Sequence, residues 1–407
     1  MLYRNLLSEA LSDRREEFVS FDREWRDDLR DYARGLRSLG GRTAQEIRGA
    51  VGEASAPGAL PSMELERHGS MAVPFDTRWR THEEARRWAL EALSERVTFA
   101  ADGSQLLPGR EVSMPVAAVQ VAWFENPHSR EEDYVKQARF HIVSPAELLG
   151  GSDDRINAET VVTFRRFELE TEALCEFMLR RRGWRERGER PPVAFFDGSL
   201  TYLISFALPK TKIQDDYANA VIKLLELSRE TEVAVVGFID RSYARDLVRL
   251  VEALNEGTSS LNSRYPYDAQ LLRAVVDNEK PLLGGWGDRT IFCYYKRRGM
   301  SERLIDERDS PLIGFTYLQT AGDDTPARLD IPSWVYEAGL LDDVIDAVRA
   351  ECVCGLGYPY AIESADEAAL ITARDREHFL RAIQDFARKE SLAFHISRKA
   401  ASKVRRR

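Results

Sequence analysis

Two short stretches carry the residues best suited to chemistry. Val97–Ser104 reads Val-Thr-Phe-Ala-Ala-Asp-Gly-Ser, and Val193–Leu200 reads Val-Ala-Phe-Phe-Asp-Gly-Ser-Leu. Each is an apolar run of strand length that delivers a carboxylate, Asp102 or Asp197, and then turns to Gly and Ser. Gly103 and Gly198 can take positive φ without a Cβ clash, so each Asp is expected at a strand end where the backbone turns sharply. Carboxylates so placed suit a divalent cation, because Mg²⁺ and Mn²⁺ prefer hard oxygen ligands held rigidly. Either Asp-Gly alone would be an ordinary turn. Two of them, each after a hydrophobic strand, point to a site.

A third acid lies on the helix expected over Glu159–Arg182. At about 100° per residue, Phe167, Leu174, Phe177 and Met178 form one apolar stripe, and Glu170 falls inside it. Glu168, Glu172 and Glu176 point the other way, towards solvent. A carboxylate on a core-facing stripe is unfavourable unless it is paired or bound to metal. A salt bridge to a buried Arg would satisfy Glu170, but beside two strand-end Asp residues metal ligation is the stronger reading. Asp366 supplies a fourth, late acid.

The elements that must position these acids follow in order. Val97–Ser104, Met114–Phe124 and Val135–Val143 read as an antiparallel meander of three strands. After the Glu170 helix come strand Val193–Phe196, helix Gln214–Glu230, strand Val233–Ile239 and helix Ala244–Asn255, an alternation that implies parallel strands covered by helices. Ile291–Lys296 and Pro311–Gln319 read as further strands. Leu340–Cys352 and Asp375–Arg388 read as amphipathic helices, with the chain turning at Gly355–Pro359 and a short helix over Glu367–Thr372. Meander, helix, then parallel strands, with acids in the order strand Asp, helix Glu, strand Asp and late helix acid, describe an α/β fold with a ribonuclease-H-like core and helices on both faces. Residues 1–95 form a helical N-terminal arm with a loop at Ala54–Pro61 and an N-cap at Thr81. Residues 96–390 form the core domain, with an inserted region at about 258–330, and 391–407 a basic tail.

Composition narrows the class. The chain has 407 residues, 43% hydrophobic, enough for a sizeable core. Its four cysteines, Cys175, Cys293, Cys352 and Cys354, include no Cys-x-x-Cys pair, so neither a zinc ribbon nor a disulfide framework is indicated. No apolar run reaches the ~20 residues of a membrane span. The N-terminus lacks a signal-peptide core, which leads us to expect a cytoplasmic protein. The net charge of −9 argues against a generic nucleic-acid coat but allows a local basic channel. No phosphate-binding Gly-x-x-x-x-Gly-Lys-Ser/Thr motif is present, so any ATPase is a separate chain.

Ala101-Asp102-Gly103-Ser104, Arg166 through Glu170, Phe196-Asp197-Gly198-Ser199-Leu200 and Gly357-Tyr358-Pro359-Tyr360 together resemble the NurA nuclease family. Val236–Ser242 and Arg328–Pro332 fit the same pattern, and the resemblance runs from about Val97 to Phe386. It implies a Mn²⁺-dependent (or Mg²⁺-dependent) DNA nuclease with 5′-to-3′ exonuclease and single-strand endonuclease activity. It also implies a homodimer docked on a hexameric HerA-type ATPase, resecting DNA ends in double-strand break repair. Carried over by position, Asp102, Glu170 and Asp197 would be metal ligands, and Tyr358 a tyrosine near the active site. Where many relatives have an Ala-His pair this chain has Ala365-Asp366, so Asp366 would be the late ligand. Arg241, Arg245, Lys296, Arg297 and Arg298 are candidates for phosphate contacts. Three alternatives remain: another ribonuclease-H-like hydrolase acting on RNA or junctions, a catalytically weak or inactive subunit that docks the ATPase, and a helical-arm scaffold.

Overall fold

A computed structural model describes residues 3–52, 56–109, 112–150, 157–203, 212–255, 266–276, 279–297, 304–305, 310–321, 325–393 and 395. Arg298, most of the polar stretch after Glu256 and nearly all of the basic tail lie outside the described residues. The chain divides into two units, Met1–Trp79 with Phe238–Tyr336, and Arg80–Gly237 with Glu337–Arg407.

The second unit carries all the candidate acids. Its strands are β1 (Thr98–Leu106), β2 (Ala117–Asn126), β3 (Val135–Val143), β4 (Val193–Asp197) and β5 (Ala234–Ile239). They lie in the order β3-β2-β1-β4-β5. β1 pairs antiparallel with β2 and β2 with β3, whereas β1 and β4 run parallel. Its main helices are α1 (His82–Leu93), α2 (Ala158–Arg181), α3 (Lys212–Thr231), α4 (Leu341–Cys354), α5 (Tyr360–Ala369) and α6 (Ala373–Lys389). A meander whose first strand takes a parallel fourth strand on its free side, with helices on both faces, is the ribonuclease-H-like arrangement. The fold class read from the sequence is the one observed.

The side-chain alternation of β1 sets up the two faces. Phe99 stacks on Phe177 of α2 at 4.5 Å between ring centroids, and Gln105 donates to Thr163 of the same helix. The intervening residues look the other way. Thr98 donates to Glu351 of α4, and the Ser104 hydroxyl accepts from the Ile371 backbone N–H just past α5. Thus α2 covers one face of β1, and α4 and α5 cover the other. Leu174, Phe177 and Met178 are fully buried, as the stripe requires. α1 begins where its cap predicts, with the Thr81 hydroxyl accepting from the Glu84 N–H.

Two local readings are corrected. β1 does not end at Asp102 but runs on to Leu106, because Gly103, Ser104 and Gln105 keep their ladder with Val121, Gln120 and Val119. Gly103 does not take positive φ; Gly198 does, at 135°. The late helix runs over Tyr360–Ala369, starting earlier and ending earlier than the expected Glu367–Thr372. Pro359 caps it with φ fixed at −61°, a value suited to starting a helix, and the Ala-rich sequence continues it.

In the first unit, Gly58–Pro61, Cys293–Lys296, Ile313–Leu318 and Ala327–Pro332 form an antiparallel sheet in that order. The N-terminal helix Arg15–Ser38 buries only Tyr32, Ala33 and Leu36. Buried ion pairs hold this unit together. Arg289 donates to both Glu64 oxygens, at 2.8 and 2.6 Å, and Arg328 to Asp246 and Asp330, each at 2.7 Å. Each charge has its partner, which is the condition for burying it.

Candidate active site

The parallel ladder between β1 and β4 ends on the pair Ala101–Phe196. One residue further along each strand stands an Asp. Register therefore places Asp102 and Asp197 side by side, about 4.8 Å apart along the hydrogen-bonding direction, on the face opposite Phe196. Phe196 packs against Phe167 of α2, so the two carboxylates lie on the α5 face. Tyr358, in the turn between α4 and α5, donates to Asp197 at 2.7 Å. Asp366, one turn before the end of α5, stands beside Asp102 and acts to raise its carboxyl. Four of the five singled-out residues thus meet at one point of the sheet.

Glu170 approaches from α2. It is 7% exposed, and its Oε1 lies 3.3 Å from the Arg166 guanidinium, four residues earlier on the helix. The alignment is poor: both Glu170 Oε1 and Arg166 Nε are buried without a hydrogen bond. Gly103 makes the approach possible. A Cβ built there would lie 2.4 Å from Glu170 Oε1 and 2.6 Å from Arg166 Cγ. The Gly read as a turn residue is instead needed for space. Gly103→Ala should accordingly shift α2 off the sheet, lowering stability by about 1–3 kcal/mol and weakening divalent-cation binding. Chemical denaturation and calorimetry check both effects.

Electrostatics show what the cluster lacks. Burial pushes the Glu170 carboxyl up to about 8; Arg166 opposes the rise, and the Asp102 and Asp197 charges add to it. Asp102 is pushed up to about 6, first by burial and then by Asp197 and Asp366, against the Gly103 N–H that stabilises its anion. Tyr217, on α3 beside Phe164 and Phe167, rises to about 12 through burial, with Arg166 opposing and the Glu170 charge contributing. Carboxylates raised by one another report a shortage of nearby positive charge.

Among the described residues, no three or more His, Cys, Asp or Glu side chains stand close enough together to hold a metal ion as placed. Glu170 pairs with Arg166, and Asp197 accepts from Tyr358. A divalent cation fits this site by donor chemistry: hard oxygens, mutual repulsion and a buried Glu170 oxygen without a hydrogen bond. Asp102, Glu170, Asp197 and Asp366 could hold it.

The remaining sequence candidates lie elsewhere. Glu168, Glu172 and Glu176 are less free than their face suggested: Arg165 pairs with Glu168, and Arg139 with Glu172 and Glu176. Arg245 pairs with Glu252 at 3.1 Å and Arg297 with Asp246 at 2.6 Å, so both serve the first unit internally. Arg241 is 74% exposed in its side chain, and Lys296 is half-buried. Sequence reasoning passed over Glu351, a buried acid on α4. Its signal was available: Val344, Ile345 and Val348 form an apolar stripe on which Glu351 falls, as Glu170 does on α2.

The NurA domain family matches residues 96–371. No curated protein matches the chain significantly. Among solved structures, the NurA nuclease from Sulfolobus solfataricus aligns at 15% identity and a TM-score of 0.45, over 72% of this chain and 85% of that one. A NurA structure with manganese aligns at 10% identity and a TM-score of 0.39, over 75% of this chain and 95% of that one. The catalytic domain of human Endonuclease V aligns at 15% identity and a TM-score of 0.34, over 77% of this chain and 92% of that one. Among the described residues, no helix is long and apolar enough to cross a membrane.

Proposed function

This chain belongs to the NurA family, and on that premise we propose that it is a divalent-metal-dependent nuclease hydrolysing DNA phosphodiester bonds at the Asp102–Glu170–Asp197–Asp366 cluster. The observation that carries the reading is the gathering of four acids around β1 with little countercharge of their own. An ion-pair network built for stability would supply a base for each acid, as Arg328 and Arg289 do in the first unit.

Asp102, Asp197, Glu170 and Asp366 would hold the metal. A bound divalent cation supplies charge for the phosphate oxygens and lowers the pKa of an attacking water. The chain's own residues prepare for that. Asp102, its carboxyl pushed up to about 6, becomes an anionic oxygen donor as pH rises through that value. Tyr358 holds Asp197 through its hydroxyl and fixes the orientation of that carboxylate. Arg166 donates to the Gly103 carbonyl at 3.3 Å while flanking Glu170, which keeps α2 against β1.

The finer reading follows the family: Mn²⁺ as the working ion, 5′-to-3′ exonuclease and single-strand endonuclease activity, and a homodimer acting with a HerA-type ATPase on DNA ends. A cleavage assay on 5′- and 3′-labelled single- and double-stranded DNA tests it, with Mn²⁺, Mg²⁺ or EDTA and with or without a cognate ATPase. We expect cutting with Mn²⁺ that EDTA abolishes. No cutting in any condition, together with no cation binding by calorimetry, would leave a subunit that docks the ATPase without catalysis.

A further inference from the structure

We infer that Glu351 is the positioning residue of this active site: one buried carboxylate ties the start of β1 to the first turn of α5 and so sets where Asp366 and Tyr358 stand relative to Asp102. The inference rests on the nuclease reading of the site.

Glu351 is 1% exposed, and both its oxygens are engaged by the elements that matter. Oε1 accepts from the Thr98 hydroxyl at 2.8 Å, four residues before Asp102 on β1. Oε2 accepts from the Ala361 backbone N–H at 2.8 Å, five residues before Asp366 on α5. Ala361 lies in the first turn of α5, where backbone N–H groups have no partner within the helix, and Pro359 at the cap offers no side-chain acceptor. Glu351 supplies it from another helix.

The same bond closes the turn that carries Tyr358. That segment leaves α4 at Cys354 and enters α5 at Tyr360. It is pinned inside by Gly357 N–H to Cys352 carbonyl, 2.7 Å, and Tyr358 N–H to Gly355 carbonyl, 3.3 Å. Glu351 fixes its far end.

His128 completes the arrangement. Its Nδ1 lies 2.7 Å from the Arg96 carbonyl oxygen. A carbonyl can only accept, so Nδ1 carries the hydrogen and Nε2 faces Glu351 Oε1 at 3.5 Å. Burial raises the Glu351 carboxyl, while His128, Thr98 and Ala361 act against that rise. A carboxylate buried at this depth needs such partners; those present are the two elements bearing Asp102 and Asp366, and one histidine.

The test compares full-length wild type with Glu351→Gln, which keeps size but removes the charge. Hydrogen exchange across Tyr358–Asp366 should speed up by about tenfold or more, with β2 unaffected. Mn²⁺ affinity by calorimetry should fall about 10- to 100-fold, the range for residues that orient metal ligands. DNA-cleavage kcat should fall with it while KM holds. In an Asp366→Asn background the same change should add less than about twofold, because both act through one carboxylate. Unaltered exchange across Tyr358–Asp366, or a full additional loss in the Asp366→Asn background, would overturn the inference. If Glu351→Gln does not fold, His128→Asn serves, since Asn tolerates the left-handed φ of 48° at that position; it should produce the same exchange pattern. Wild type that neither binds Mn²⁺ nor cuts DNA would instead overturn the nuclease reading, while the exchange comparison still decides the role of Glu351.

Discussion

Asp197→Asn should abolish metal-dependent DNA cleavage, with a loss of about 10³-fold or more, at the upper end of what removing one key electrostatic group costs. The substitution is close to isosteric, and the Asn carbonyl still accepts the Tyr358 hydrogen bond, so the change is mainly one of charge. Asp197 is exposed at the end of β4, so stability should change little. A second consequence is separable from activity. Asp197 is the first charged neighbour acting to raise Asp102, after burial. Without that charge the Asp102 carboxyl should titrate below its present value of about 6. Carbon-detected NMR on metal-free protein reads this directly. Wild-type cleavage by a preparation shown to carry the substitution would remove Asp197 from the site. An Asp102 titration that stays in place would show that the two carboxylates do not face each other.

Much of this site was legible in the sequence, because its signals are local. An apolar run ending in Asp-Gly, and a Glu on an apolar helical stripe, each break a pattern that folding alone would keep. Those breaks singled out Asp102, Asp197 and Glu170 as candidates. What Gly103 does was not legible, since the need for a missing Cβ comes from Arg166 and Glu170, more than sixty residues away in the chain. The same limit applies to Glu351. Its stripe-breaking position could be read from α4, but its purpose depends on Thr98 and Ala361, which only the folded sheet brings to it. The gathering of residues 1–79 with 238–336 into one unit is likewise set by strand pairings between distant segments, such as Gly58–Pro61 with Cys293–Lys296. Hydrophobic periodicity within either segment does not encode that pairing.

Glu170→Gln should separate function from stability. Glu170 is buried, and its carboxyl is carried from an ordinary 4.5 up to about 8. The sign follows from proton counting. Between these two values the unfolded chain has released the proton that the folded chain still holds, so stability falls as pH rises from 4.5 to 8 and levels off above. Gln has no proton to lose and escapes the penalty. In EDTA the variant should match wild type near pH 4.5 and exceed it at pH 8 by an amount on the order of a few kcal/mol. Comparing the two proteins cancels titrating groups that do not interact with Glu170, while Asp102 and Asp197 act through the rise they add to it. Mn²⁺ should reverse the ranking: it stabilises whichever protein binds it, and the variant lacks one charged oxygen donor. Cleavage should be lost throughout. Denaturant melts across pH, with EDTA and with Mn²⁺, measure both halves. A variant less stable than wild type at pH 8 in EDTA would mean that Arg166 already satisfies Glu170, and the acid would then be a structural ion-pair partner. A stabilised but inactive variant would show that the fold tolerates an unfavourable buried charge at the position where catalysis uses it.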